Sequence, residues 1–288
     1  DKARIRIKNG LNLFNLEAMD WGLSPTWWQW SLHPKEYRDR ISVIHDGIDT
    51  NEITPVEELE LQMQSGIKLS KKDEIVTYVA RNFEPYRGFP TAMRAFKIIQ
   101  ERRPNCHIIA VGGDEISYGK RPPAGKTYRQ MMMEEVQGLD MSRLHFTGHL
   151  KYNVFLNVLK ISRAHLYLTY PFVLSWSALE AMSAGCVVIG SDTEPVREVI
   201  EDGKNGLLVD FFSPQSVADR VDEVLDHKNY HQQIRDNARQ TVIDRYDINL
   251  LLPLHMQLVE DLANRRLPPP AAKKIMQLYP DPPFQMAA

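Results

Sequence analysis

Short, almost continuous apolar runs rich in β-branched and aromatic residues recur along the chain at 41–44, 74–80, 106–111, 144–148, 164–170, 187–191 and 206–210. Runs of that length with no polar face fit strands buried on both sides of a parallel sheet. The stretches between them carry apolar residues at helical spacing, which predicts helices over about 90–102, 129–137, 152–160 and 176–184, with another opening at Glu194. Residues 54–69 read as helical or irregular. Alternation of strand and helix from Ile41 to Asp210 predicts an α/β fold with a doubly wound, Rossmann-like parallel sheet. Helices near 215–226, 229–245 and 247–264 follow, and a proline-rich tail closes the chain.

The amino-terminal part has a different texture. Residues 1–19 carry Leu11, Leu13, Phe14, Leu16 and Met19 at helical spacing and have no strand before them to pack on, as if the chain were the later part of a longer polypeptide. Lys2, Arg4, Arg6 and Lys8 suit either contact with anionic lipid or a solvated helix face. Trp27, Trp28 and Trp30 open a short helix and call for burial, at an interdomain face or as an acceptor platform. The charged stretch 35–40 marks a domain boundary. The expected division is therefore 1–38, a remnant of a preceding domain; 39–245, the sheet domain; 246–267, a terminal helix; and 268–288, the tail.

Composition narrows the function classes. A formal net charge of −2 over 288 residues gives no electrostatic case for nucleic acid. No apolar run approaches the roughly 18 residues of a membrane span, and no signal peptide opens the chain. Cys106 and Cys186 lie apart in apolar runs, which reads as buried free thiols of a reducing compartment, so the expected location is cytoplasmic, with peripheral contact on the inner membrane face open.

The chemistry concentrates in strand–loop–helix units. After the 164–170 run, Pro171 breaks the strand, Ser175 and Ser177 suit the first turn of a helix by taking up free N–H groups with their hydroxyls, and Gly185 ends it. Such a turn is an anion site, because unpaired N–H groups and the helix dipole favour negative charge there. Glu180, one turn inside, is either a carboxylate that accepts both hydroxyls of a ribose-like diol or an ordinary helix-surface glutamate. Arg81 and Arg87 stand six positions apart in a loop after the 74–80 strand, a second anion site. Residues 114–129 are turn-rich and read as a functional loop or a surface one. Neither a G-x-G-x-x-G turn nor a G-x-x-x-x-G-K-[ST] loop occurs.

The segments 44–49 (IHDGID), Arg81 with 83–88 (FEPYRG), 146–148 (FTG), 179–185 (LEAMSAG) and 198–209 (EVIEDGKNGLLV) stand in an order that resembles the carboxyl-terminal half of retaining GT-B glycosyltransferases of the group 1, family 4 type. The resemblance implies a nucleotide-diphosphate sugar as donor substrate, no metal and no cofactor, and a glycan or lipid-linked acceptor in polysaccharide or glycoconjugate synthesis. It implies that Arg81 and Arg87 grip the diphosphate, Arg87 standing where lysine is usual, and that Glu180 holds the ribose. Ser175, Trp176 and Ser177 would present N–H groups to phosphate or sugar, while Gly148, His149 and Leu150 would edge the base. Phe172 stands where the family places the first of two glutamates eight residues apart, the one that holds the donor sugar, Glu180 matching the second. The terminal helix resembles one that crosses back to the preceding domain. Two rival readings are an epimerase of the same fold and a non-catalytic nucleotide-sugar-binding module.

Overall fold

The computed structural model describes residues 2–123 and 125–268; the expected tail falls almost wholly outside the described residues. Among the described residues the chain forms two compact units, 2–47 with 245–268 and 48–244.

The first unit opens with α1 (Lys2–Ala18), β1 (Gly22–Ser24), α2 (Trp27–Ser31), α3 (Lys35–Arg38) and β2 (Ile41–Val43). β1 and β2 pair in parallel, with Gly22 opposite Ile41. The strand expected at 41–44 thus belongs to this two-stranded sheet, and the boundary expected at 38/39 lies after Gly47. The tryptophans resolve differently too. Trp27 and Trp30 meet edge to face, ring centroids 5.5 Å apart, and share a small core with Ile41 inside the unit. The Trp30 indole N–H donates to the Arg38 carbonyl at 3.1 Å, so the polar end of the ring is satisfied.

The second unit holds β3 (Glu60–Gln62), β4 (Lys68–Ser70), β5 (Ile75–Asn82), α4 (Phe89–Arg102), β6 (His107–Gly113), α5 (Tyr128–Glu135), β7 (Leu144–Gly148), α6 (Tyr152–Ile161), β8 (Ala164–Tyr167), α7 (Trp176–Ser183), β9 (Val187–Ser191), α8 (Glu194–Arg197), β10 (Leu207–Val209), α9 (Pro214–Asp226) and most of α10 (Lys228–Tyr246). Six strands form one parallel sheet in the order β10-β9-β8-β5-β6-β7. Side chains alternate across it. Val76, Tyr78, Ile108 and Ala110 join the core under α4 and α9, while Ile75, Ile109 and Val111 pack with α6 and Leu69. Residues 60–70, expected helical or irregular, form an antiparallel hairpin that turns Leu61 and Leu69 onto that second core.

β8 ends at Tyr167, short of the expected Tyr170. Beyond it the chain leaves the ladder, because the Thr169 N–H donates to the Ser191 hydroxyl at 3.0 Å and the Tyr170 N–H to the Tyr86 carbonyl at 3.2 Å.

α11 (Ile248–Ala263) groups with the first unit. A side chain on Gly47, which has φ +94°, would stand 2.8 Å from the Ile248 Cα, so glycine is required there. His255 Nε2 meets the His45 carbonyl at 3.1 Å, and the buried His45 ring packs on Tyr246. Burial lowers the pKa of His45 to about 4 against a weaker opposing pull from Asp46. Among the described residues no helix is long and apolar enough to cross a membrane.

Candidate active site

Strand order reverses between β5 and β8, and a doubly wound sheet leaves a crevice above the carboxyl ends of strands at such a point. A cleft of about 580 Å³ lies there. Val79, Ala80 and Arg81 of β5 form one wall and Val173 to Ser177, leading into α7, another; Gly112, His149 and Leu150 contribute the edge. Gly113 has no room for a side chain because the His149 ring lies 2.3 Å from where its Cβ would be.

Arg81 is the penultimate residue of β5, not a loop residue as its sequence suggested, and it is exposed. Arg87 ends a 3₁₀ turn, Pro85–Arg87, and is half-buried. Gly88 allows that turn: its φ is +67°, and a Cβ would stand 2.4 Å from the Leu168 Cβ. The Arg87 backbone carbonyl accepts from the Tyr78 hydroxyl at 2.8 Å. Its guanidinium donates to Thr169 Oγ1 at 3.3 Å and lies 5.5 Å from the ring centroids of Tyr118 and of Phe172. A guanidinium so placed leaves most of its donors available.

Ser175 caps α7, yet its hydroxyl makes no capping bond; it meets the Ser177 hydroxyl at 3.0 Å, and the Ser175 N–H donates to the Tyr167 hydroxyl at 2.7 Å. The expected hydroxyl caps are therefore absent. Burial raises the pKa of Tyr167, with Arg87 nearby opposing the shift.

Glu180 lies one turn inside α7 and is 5 % exposed. The Tyr152 hydroxyl donates to its Oε1 at 2.8 Å. Burial raises the pKa of Glu180, and the Tyr152 bond works the other way. One carboxylate oxygen is thus oriented by a phenol while the second has no such partner. Of the expected residues, Arg81, Arg87, His149, Leu150, Ser175, Trp176 and Ser177 line one cleft; Glu180 and Gly148 are not among the residues that line it. Sequence reasoning missed Tyr118, Tyr152 and Tyr167. Tyr118 sits in the turn-rich 114–129 stretch, a usable signal, whereas Tyr152 and Tyr167 look like ordinary helix and strand residues.

Against family models, residues 62–241 match glycosyl transferases group 1, and residues 1–53 match the glycosyl transferase family 4 group. The chain belongs to the group 1 glycosyltransferases. An uncharacterized glycosyltransferase of Methanocaldococcus jannaschii is 26% identical over 212 residues, covering 72% of this chain and 50% of that protein. The chain spans about half the length of the curated relatives it matches. Among solved structures, the carboxyl-terminal domain of a glycosyl transferase group 1 family protein from Francisella tularensis aligns with a TM-score of 0.58 and 22% identity, over 70% of this chain and 100% of that one. Anabaena HepE, solved with UDP-glucose, aligns with a TM-score of 0.66 and 16% identity, over 85% of this chain and 64% of that one. The fold of this group 1 member is accordingly the carboxyl-terminal half of a GT-B architecture.

Two cationic side chains, a helix amino terminus and a carboxylate a turn behind it suit a ligand with a diphosphate at one end and vicinal hydroxyls at the other. None of the residues lining the cleft is an aspartate or glutamate. Among the described residues no group of three His, Cys, Asp or Glu could hold a metal ion.

Proposed function

We propose that the cleft binds a nucleotide-diphosphate sugar and that the parent protein transfers the sugar, with retention of anomeric configuration, to a hydroxyl of a glycan or lipid-linked acceptor. The observation that carries this reading is the meeting of Arg81, Arg87 and the first turn of α7 on one cleft, with Glu180 a turn behind. HepE, a neighbour in fold, was solved with UDP-glucose, which lends support to a donor of that chemical class.

In this reading the donor is substrate, and no protein nucleophile is needed. As the anomeric C–O bond lengthens, negative charge grows on the leaving diphosphate, where Arg81 and Arg87 stabilise it more than they stabilise the bound donor. A leaving phosphate oxygen takes the proton of the attacking hydroxyl on the same face. The role belongs to polysaccharide or glycoconjugate synthesis at the cytoplasmic side of a membrane.

Thermal-shift titration of the chain with UDP-, GDP-, ADP- and dTDP-sugars tests the binding half. One of these is expected to raise the melting temperature; no response to any would overturn the reading. A binding module is favoured for this stretch by itself, because it spans about half of its curated relatives. Holding an acceptor hydroxyl against the anomeric carbon supplies roughly 7–11 kcal/mol of a barrier. The chain alone should therefore bind donor with little transfer, and a version extended at its amino terminus should release nucleoside diphosphate when acceptor is added.

A further inference from the structure

The sequence singles out residues 114–129 without assigning them a task, and the structure ties residues 117–119 of this stretch to side chains at the end of β5. Glu84, just past β5, is fully buried. Its Oε1 accepts the backbone N–H groups of Ser117, Tyr118 and Gly119, each at 3.0 Å, and Oε2 is 3.3 Å from the Tyr118 nitrogen. Asn82 adds a bond from Nδ2 to the Ser117 hydroxyl at 2.7 Å. A side chain facing three N–H donors must act wholly as an acceptor, which a carboxylate does and an amide does not.

What the anchored turn carries is Tyr118. Its ring is 45% exposed, lines the donor cleft, stands 5.1 Å from the Phe172 ring and lies 5.5 Å from the Arg87 guanidinium. Arg87 has side-chain contacts with Thr169, Tyr167, Phe172 and Tyr118, and Tyr118 alone of these comes from the 114–129 stretch. Asn82 is a second hold on that turn, through the Ser117 hydroxyl, and Phe172 is the other ring against Tyr118, but the three backbone N–H groups of the turn converge on Glu84.

We propose that Glu84 is a positioning residue for donor binding: by fixing the N–H groups of residues 117–119 it sets Tyr118 against Arg87, and so sets the guanidinium that meets the donor diphosphate. The inference rests on the donor reading given above. Glu84 itself touches no ligand.

The test has two arms, both on the full chain. Hydrogen exchange needs no ligand: Glu84→Gln should speed exchange of the amides at 117–119 by tenfold or more, as expected when an anchored turn opens locally, about 1.4 kcal/mol or beyond. Unchanged exchange there overturns the anchor. The second arm measures affinity for UDP, GDP, ADP and dTDP and follows whichever wild type binds best. Glu84→Gln and Tyr118→Ala should each weaken it by roughly three- to tenfold, the double variant no more than the worse single one, and Tyr118→Phe should restore it. Because Tyr118→Ala alters an exposed ring, it keeps the proposal open to refutation should Glu84→Gln fold poorly. Additive losses, or undiminished affinity in Glu84→Gln with a loosened turn, overturn the positioning role. A wild-type chain that binds none of the four overturns the donor reading and the positioning role together, while the exchange arm still decides the anchor.

Discussion

α1 and α7 look alike as sequences, each a helix with apolar residues at regular spacing, and they end in opposite environments. None of the 17 residues of α1 is buried, and Ile7 and Phe14 are 72% and 75% exposed. Seven of the eight residues of α7 are buried, a glutamate among them. The difference is the supply of partners. α7 connects β8 to β9 across the face of a six-stranded sheet, whereas α1 packs Leu16 on the small Trp27, Trp30 and Ile41 core and accepts the Tyr37 hydroxyl on Glu17 at 3.0 Å. Periodicity says that a segment is helical; what covers its apolar face is decided by the rest of the fold.

The largest test of that contrast removes one phenylalanine from each setting. Phe96 on α4 is fully buried against Tyr78, ring centroids 6.2 Å apart. Phe96→Ala should cost about 3–5 kcal/mol of stability through lost transfer energy and a residual cavity. Phe14→Ala should stay within about 0.5 kcal/mol. Urea denaturation of both variants measures it, and similar losses would mean that the exposed face of α1 is covered in solution.

The next effect concerns the cleft. Arg87→Ala should weaken nucleoside diphosphate binding by about 1.5–3 kcal/mol, a charge-assisted contact, with a smaller change in melting temperature of the free chain because Arg87 is half-buried and outside the hydrophobic core. Calorimetric titration reads the first quantity and a thermal scan the second. Equal affinity in wild type and variant would remove Arg87 from the anion site.

The same contrast explains how much was legible. Strands buried on both faces show as apolar runs, so 75–82, 107–113, 187–191 and 207–209 were found to within a residue or two. Arg81, Arg87 and the first turn of α7 could be placed together from sequence because strand–loop–helix units bring such loops to one end of a parallel sheet, and they line one cleft. β2 was misassigned because its composition matches a strand of the large sheet, while it and its partner, β1, both belong to the first unit. The hairpin at 60–70 was missed since three-residue strands hold too few positions to show a period. Tyr152 escaped because its role depends on a hydroxyl reaching 28 positions along the chain to Glu180.

A smaller effect sharpens the comparison by pH. His45, in the first unit, has a usual value of 6.5 that burial lowers to about 4. Between these values the unfolded chain binds a proton that the native state refuses, so stability falls as pH falls through that window and is flat above it. Going from pH 7 to pH 5 should lose roughly 2 kcal/mol through this group. Denaturation of wild type and His45→Gln at both pH values should show a smaller difference in the variant; an equal difference would assign the pH dependence elsewhere.

The smallest and most specific effect is at Glu180, where α7 buries a carboxylate that α1 has no counterpart for. Glu180→Gln preserves volume, and its amide oxygen can still accept from Tyr152, so the helix should pack as before. What it loses is one acceptor for a vicinal diol, worth about 1 kcal/mol. Affinity for the ribonucleotide should therefore fall further than affinity for its 2′-deoxy analogue. Because burial raises the pKa of Glu180, wild-type affinity should also weaken as pH falls and the carboxylate takes up a proton, while the glutamine variant should lack that dependence. Calorimetric titration of both ligands at two pH values decides it. Equal losses for ribose and deoxyribose would make Glu180 a packing residue of α7 and leave the cleft with its anion-binding end alone.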